Sequence, residues 1–369
     1  MKNRDYLQYT DVKKIIESNA LHYLICIGQR SNGKSYACKE LALRNAVKGE
    51  QFCYLRRHKE DLQDYMILEY FADMLVPDKK GRNAIQRITK DKYNAIAVYR
   101  KAIYFAVADE EKTIRGDVIG YAHALSGLEG LKSRQFPKVT LVIFEEFIAT
   151  SLFLFEEPNK LQQYTSTIFR QRTGCVIMIG NTISRIVPYF SEWGLDNIPK
   201  QVQSTVDVYK FHTEVDGSEI ETRIGVFLCG SIKHNSGMFF GQSAKMIVGG
   251  QWDRSEQPRP DKDVDSYKKL YTAVFKFSEK AVYLMTLLQD FSDSSLVFWY
   301  VEPKTSEIQP NTRVICPRFN PSPLWTVDFL PITERERIAW ELFRQNKICY
   351  SDNLTGTEFK RCVAQLHKK

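Results

Sequence analysis

One stretch decides the fold: Gly28-Gln29-Arg30-Ser31-Asn32-Gly33-Lys34-Ser35. It matches the pattern G-x-x-x-x-G-K-[ST] of the phosphate-binding loop called Walker A. The glycines let the backbone wrap around phosphates, Lys34 reaches the β- and γ-phosphates, and the Ser35 hydroxyl joins the shell of Mg²⁺. We therefore expect this loop to bind ATP with Mg²⁺, and Lys34 also to contribute to catalysis.

The sequence around this loop supplies the context that the motif requires. Residues 23–27 are a short apolar run typical of a buried strand. Residues 34–47 are rich in helix formers, and Gly49 is the expected stop. Such a helix would direct the positive end of its dipole at the phosphates. A glycine turn that matched the pattern by chance would lack this order of strand, loop and helix.

A second motif supplies the acidic groups that ATP hydrolysis needs. Residues 139–144 form an apolar run that ends in the pair Glu145 and Glu146. We expect Glu145 to hold Mg²⁺, at a position where aspartate is commoner, and Glu146 to act as the catalytic base or to orient water. The alternative is a strand followed by a solvated acidic turn.

Two further strand ends carry candidate nucleotide contacts. The apolar run 175–180 ends in Asn181 and Thr182, where a sensor of the γ-phosphate would lie, although Asn-Thr is also a common turn. The run 51–56 ends in Arg56, which we expect to contact nucleotide. The alternative is that Arg56 and its neighbour form a basic surface pair.

The order of these segments predicts an α/β fold. Apolar strands near residues 23, 51, 139 and 175 alternate with helical segments, which favours a mainly parallel sheet flanked by helices. Residues 95–107 are typical of an inserted hairpin.

The composition is that of a folded globular chain. Its 369 residues favour two domains, and 43% are hydrophobic and 26% charged. The longest apolar runs are too short to cross a bilayer and the N-terminus lacks a signal peptide, so we expect a cytoplasmic protein without membrane contact. A net charge of +8 favours a polyanionic partner. The eight cysteines form no C-x-x-C pair, so buried free thiols are expected.

Taken together, the segments resemble those of viral packaging ATPases. The resemblance rests on residues 28–35, 51–57 and 144–148 and on Gly180-Asn181-Thr182 followed by residues 188–190, in that order. More narrowly, the chain resembles the encapsidation ATPases of small Picovirinae-type (Salasmaviridae) podophages, which are shorter than large terminase subunits. It covers the first two thirds of the chain.

This resemblance implies a fold, an activity and partners. The fold is an ASCE-type (additional-strand, catalytic-glutamate) P-loop domain. The activity is hydrolysis of ATP coupled to translocation of double-stranded DNA into a preformed prohead. The implied partners are the DNA, the phage portal or connector, packaging RNA, and further copies in a homomeric, pentameric ring. The implied location is the host cytoplasm, transiently at the portal vertex.

In such rings a neighbouring subunit supplies a cation to the nucleotide. The resemblance implies two candidate groups, Arg170 and Arg172 after the acidic pair, and Lys132 and Arg134 before it. Arg170 or Arg172 is the favoured arginine finger. The alternative is that these side chains are solvated or complement a helix dipole.

The last third of the chain predicts a second domain. We expect an ATPase domain at 1–228, a linker at 229–268 and a small α+β domain at 269–369. Strands are expected at 272–277, 282–288 and 296–301, and a helix at 334–345. Large terminases carry a ribonuclease H-like nuclease here.

The acids available to such a nuclease lack a recognisable spacing. They are Asp290, Asp293, Glu302 and Asp328. We therefore expect a degenerate, non-cutting domain that docks to portal or packaging RNA, with retained nuclease activity as the alternative. Two other functions stay open, a P-loop helicase or replication ATPase acting on single strands, and a scaffold that binds ATP without turnover.

Overall fold

The computed structural model describes residues 6–148, 153–181, 187–195, 197–230, 256–278, 281–304 and 306–366. The chain forms two compact units. The first comprises residues 1–149, 156–183 and 195–251, and the second 150–155, 184–194 and 252–369. The linker expected at 229–268 lies largely outside the described residues, so the three domain limits stay a prediction.

The first unit is built on a nine-stranded sheet with helices packed against it. The strands are β1 (Tyr23–Gly28), β2 (Gln51–Arg56), β3 (Ala95–Tyr99), β4 (Ala102–Ala108), β5 (Thr113–Ala124), β6 (Val139–Glu145), β7 (Cys175–Asn181), β8 (Thr205–Val215) and β9 (Ser218–Leu228). The helices are α1 (Tyr9–Asn19), α2 (Lys34–Val47), α3 (Asp64–Tyr70), α4 (Ala84–Thr89) and α5 (Glu157–Phe169).

The sheet order is β3-β4-β5-β2-β6-β7-β1-β9-β8. Six adjacent strands of this sheet are parallel to one another, namely β5, β2, β6, β7, β1 and β9. This confirms the predicted α/β architecture. The antiparallel pair β3 and β4 is the hairpin predicted near 95–107, and β8 pairs antiparallel with β9 at the other edge. The core strands are apolar because they are covered: Leu24 and Cys26 of β1 pack in one cluster with Leu41 of α2.

The register of the parallel strands brings the motif ends together. Gly28 at the end of β1 pairs with Asn181 at the end of β7, and Glu145 at the end of β6 pairs with Ile179. Because parallel strands end at the same edge of a sheet, Walker A, Glu145 and Asn181 share one edge.

The second unit contains a six-stranded sheet in the order β14-β13-β10-β11-β12-β15. Its elements are α6 (Pro188–Glu192), β10 (Tyr267–Lys276), β11 (Val282–Asp290), β12 (Val297–Pro303), β13 (Arg313–Ile315), β14 (Trp325–Thr326), α7 (Glu334–Arg344), β15 (Ile348–Tyr350) and α8 (Asn353–Leu366). Strands β10, β11 and β12 form an antiparallel meander, while β13 runs parallel to β10 and β14 to β13. At the other edge, β15 runs parallel to β12.

An aromatic core holds the second unit together. Trp299 of β12 and Trp340 of α7 stack with ring centroids 4.8 Å apart, and the Trp299 indole donates a hydrogen bond to the Ala339 carbonyl at 2.7 Å. Burial of each large aromatic ring contributes roughly 2–3 kcal/mol through the hydrophobic effect. No helix within the described ranges is long and apolar enough to span a bilayer. All eight cysteines are free thiols, and all but Cys349 are buried.

Candidate nucleotide site

A cavity of about 610 Å³ opens at the edge of the first sheet where the motifs meet. Its lining includes Arg30, Ser31, Asn32, Gly33, Lys34, Ser35, Glu145, Glu146, Asn181, Tyr6, Leu7, Gln8, Tyr36, Glu40 and Asp73. Most residues expected from sequence to contact ATP therefore surround one cavity. Thr182, the second candidate sensor, lies outside the described residues.

The glycines of the loop are required by its geometry. Gly33 has a φ of 84°, and a Cβ there would lie 3.3 Å from the backbone of Leu7. At Gly28 a Cβ would lie 2.7 Å from the Asn32 side chain. The Leu7 amide also donates to the Asn32 carbonyl at 3.1 Å, so the segment before α1 forms a wall of the cavity. Within the loop, Gln29 and Asn32 are buried.

Lys34, the first residue of α2, is held on this loop by four oxygen acceptors. Its ammonium donates to the carbonyls of Gly28 at 3.2 Å and Gln29 at 2.6 Å, to Asn32 Oδ1 at 2.9 Å and to Asn181 Oδ1 at 3.4 Å. Burial lowers the pKa of Lys34, and the nearby Glu145 carboxylate partly opposes that shift. The candidate sensor Asn181 is thus in direct contact with the Walker A lysine.

Glu145 is a buried carboxylate that accepts a hydrogen bond from the Tyr70 hydroxyl at 3.0 Å. Burial raises the pKa of Glu145, while the neighbouring hydroxyls of Ser35 and Tyr70 act in the opposite direction. A carboxylate beside a serine hydroxyl is an oxygen donor set of the kind that Mg²⁺ prefers, so Ser35 and Glu145 fit a magnesium site completed by phosphate oxygens.

Glu146 follows at the rim of the cavity. Its φ of 55° turns the chain sharply out of β6, and its side chain is 63% exposed. Arg56, at the end of β2, donates to the Glu146 carboxylate at 2.8 Å and lies 3.6 Å from Asp61. Arg56 is therefore connected to the cavity by its ion pair with Glu146.

A buried ion pair supports the turn after β6, and no sequence motif indicated it. Arg57 forms two hydrogen bonds with Glu157 at 2.7 and 2.9 Å, and it also donates to the carbonyls of Glu146 at 3.3 Å and Phe147 at 2.7 Å. Both charged side chains are almost fully buried. Arg57 is therefore not part of a basic surface pair. The partners are too far apart in sequence for any local pattern to reveal them.

The four candidate finger residues lie together, but away from the cavity. The Arg170 guanidinium donates to the Arg134 carbonyl at 3.1 Å, and Lys132 pairs with Glu129 at 2.7 Å. Arg172 donates to the carbonyls of Phe136, Pro137, Val139 and Ile168. We call residues 132, 134, 170 and 172 the basic cluster.

The basic cluster lies at the edge where β6 and β7 begin. At about 3.3 Å per residue, β6 separates this edge from the end of the strand at Glu145 by roughly 20 Å. The cluster therefore cannot contact a nucleotide held by the Walker A loop of its own chain.

Two of the four candidate acids of the second unit, Asp290 and Asp293, are engaged in a turn. Asp290 pairs with Lys262 at 2.6 Å and accepts from the Ser292 amide at 2.7 Å, and these contacts hold the pKa of Asp290 well below its usual range. Asp293 accepts from the Ser295 amide at 2.9 Å. Among the residues that the structure describes, no three His, Cys, Asp or Glu side chains are grouped so that they could hold a metal ion. The absence of cutting stays a prediction.

Comparison with known proteins identifies a family. The model of the family described as "Podovirus DNA encapsidation protein (Gp16)" matches residues 5–216. The "DNA packaging protein" of Bacillus phage B103 is 34% identical over 174 residues, which are 46% of this chain and 47% of that protein. Its counterpart in Bacillus phage phi29 is 29% identical over 211 residues, or 55% and 54% of the two chains. The chain thus spans about half the length of these curated relatives.

A solved structure shares the fold over nearly the whole chain. It is described as "The bacteriophage Phi-29 viral genome packaging motor assembly", is 18% identical, and covers 99% of this chain and 100% of that one with a TM-score of 0.54. At this level of identity the match supports the fold alone.

Proposed function

Because the chain belongs to the podovirus DNA encapsidation protein (Gp16) family, we propose that it is the ATPase of a viral genome-packaging motor. It would couple ATP hydrolysis to translocation of double-stranded DNA into a preformed prohead. The observation that carries the proposal is the grouping of Lys34, Ser35, Glu145 and Asn181 around one cavity, with Glu146 at its rim.

Each side chain has a role that its surroundings support. Lys34 and the loop amides bind the phosphates, and Asn181, which contacts Lys34, senses the γ-phosphate. Ser35 and Glu145 hold Mg²⁺, which neutralises charge on the phosphates when it is bound. Glu146 orients water and accepts its proton once its ion pair with Arg56 loosens.

The basic cluster would act on a neighbouring subunit. Since it lies at the far edge of its own sheet, it can assist hydrolysis only in another copy, as a homomeric ring would arrange. Arg170 is the better finger candidate, because Arg172 is committed to four backbone carbonyls whereas the guanidinium of Arg170 donates to one. Lys132 and Arg134 are exposed beside it.

The proposed partners follow from the family. The ring, pentameric in this proposal, sits at the portal vertex in the host cytoplasm and grips the DNA backbone through lysines and arginines. The second unit docks to the portal or to packaging RNA and does not cut DNA.

The test is steady-state ATP hydrolysis by the purified full chain at increasing protein concentration, with blunt duplex DNA, with single-stranded DNA and without DNA. We expect activity to rise with concentration and with duplex, and Lys34→Ala to lower it at least hundredfold. Stimulation by single strands but not by duplex would instead indicate a helicase.

Mixing subunits tests completion between chains. Arg170→Ala keeps an intact nucleotide site, and Glu146→Gln keeps an intact basic cluster. We expect each to be nearly inactive alone and a mixture to regain activity, whereas Arg82→Ala, which removes an exposed arginine of the same unit, stays active. A mixture as inactive as its components would contradict a shared site.

A further inference from the structure

Glu145 occupies a position where aspartate is commoner, and this substitution has a physical cost. Glutamate has one more rotatable bond than aspartate, so its carboxylate must lose more freedom to face a metal ion in one orientation. A site that uses glutamate therefore needs an additional contact to fix it.

Tyr70, which no sequence motif indicated, makes such a contact. Its hydroxyl donates a hydrogen bond to Glu145 Oε1 at 3.0 Å, so Tyr70 of α3 contacts the carboxylate while Ser35 of α2 lies beside it. We propose that Tyr70 is a positioning residue that fixes the longer side chain of Glu145 for metal binding. This inference rests on the proposed function, in which Glu145 holds Mg²⁺.

The Tyr70 ring is itself held by contacts with Tyr54 and Lys39. It stacks on Tyr54 of β2 with centroids 4.2 Å apart and an interplanar angle of 19°. The Lys39 ammonium lies 4.6 Å above the ring, and it donates to the Tyr70 carbonyl at 2.6 Å and to Asp73 at 2.5 Å. Lys39 is buried in α2, the helix that begins with Lys34. Tyr70 is thus attached to the Walker A helix and to the strand beside β6, which is the rigid support that a positioning contact requires.

The first experiment compares the wild-type chain with Tyr70→Phe, which keeps the ring and removes the hydroxyl. Binding of Mn²⁺ in the presence of ADP is measured by electron paramagnetic resonance. We expect the dissociation constant of Mn²⁺ to rise about tenfold, and the Mg²⁺ concentration for half-maximal ATP hydrolysis to rise in step. The KM for ATP at saturating Mg²⁺ should not change.

Two comparisons separate positioning from a general structural effect. Tyr93→Phe removes a hydroxyl that donates to the exposed Asp117 at 2.8 Å, and it should leave Mn²⁺ binding unchanged. In a Glu145→Asp background the shorter side chain draws the carboxylate away from Tyr70, so Tyr70→Phe should have no further effect on Mn²⁺ binding.

The outcomes are distinct. If Tyr70→Phe binds Mn²⁺ like the wild type, or loses affinity equally in both backgrounds, the positioning role is wrong while the proposed function stands. If the wild-type chain itself neither binds Mn²⁺ with ADP nor hydrolyses ATP, the proposed function fails and this inference fails with it.

Discussion

Burial disfavours the charged forms of the ionisable side chains in the site. It lowers the pKa of Lys34 and raises that of Glu145, and neighbouring protein groups rather than water partly offset each shift. Burial also raises the pKa of Tyr70 well above its usual value, so its hydroxyl keeps its proton and donates to Glu145. The site is thus preorganised for charge that arrives with the nucleotide.

His123 gives the first unit a pH dependence that is separate from the site. It is buried, its Nδ1 lies 2.9 Å from the Tyr164 hydroxyl, and burial lowers its pKa from 6.5 to about 3. Between these values the folded state binds fewer protons than the unfolded state, so the free energy of unfolding falls as the pH falls.

We expect the wild-type chain to lose about 2 kcal/mol more than His123→Gln does between pH 7 and pH 5. Glutamine can still bond the Tyr164 hydroxyl but does not titrate. Urea unfolding of both chains at the two pH values measures the difference. Equal losses would show that His123 does not titrate as its burial implies.

At the level of elements, the ion pair of Arg57 and Glu157 joins β2, the turn after β6 and α5. Arg57→Met would remove the cation that is paired with the buried Glu157 carboxylate, which costs about 3–5 kcal/mol of unfolding free energy. Arg82→Met breaks an exposed pair with Asp91 and should cost no more than about 1 kcal/mol. Denaturant midpoints compare the two, and equal shifts would contradict a supporting role.

The elements that the sequence predicted are those with a clear apolar pattern. The strand, loop and helix of Walker A and the central strands β2, β6 and β7 were predicted, as were β10, β11, β12 and α7. Strand β5 was missed because residues 113–117 are exposed, and only its second half is buried. The hairpin of β8 and β9 was missed for a similar reason, since its outer half is exposed on both strands.

Contacts between distant residues limited prediction of the site. The motif residues could be identified because each ends an apolar strand. Tyr70 and the pair of Arg57 and Glu157 could not, because no local pattern links a tyrosine at the end of α3 to Glu145. The short strands β13, β14 and β15 are defined by their pairing alone, so they too carry no sequence signal.

At the scale of the whole molecule, the described part of the second unit contains no group of acids that could hold a metal ion. We expect the full chain to leave supercoiled plasmid intact in the presence of Mn²⁺, because Asp290 is neutralised by Lys262 and bonded to Ser292. Gel electrophoresis of the plasmid is the measurement. Nicking that disappears in Asp290→Asn would show a retained nuclease and overturn the docking role.

The position of β1 in the sheet also affects how the chain is made. Tyr23 pairs with Val176 of β7 on one side and with Ile224 of β9 on the other, so β1 has no sheet partner until β7 exists. At about 5–20 residues per second, a ribosome needs roughly 8–30 seconds to add the chain between β1 and β7. Throughout that time the apolar strand leading into the Walker A loop is unpaired, which makes the nascent chain prone to aggregation.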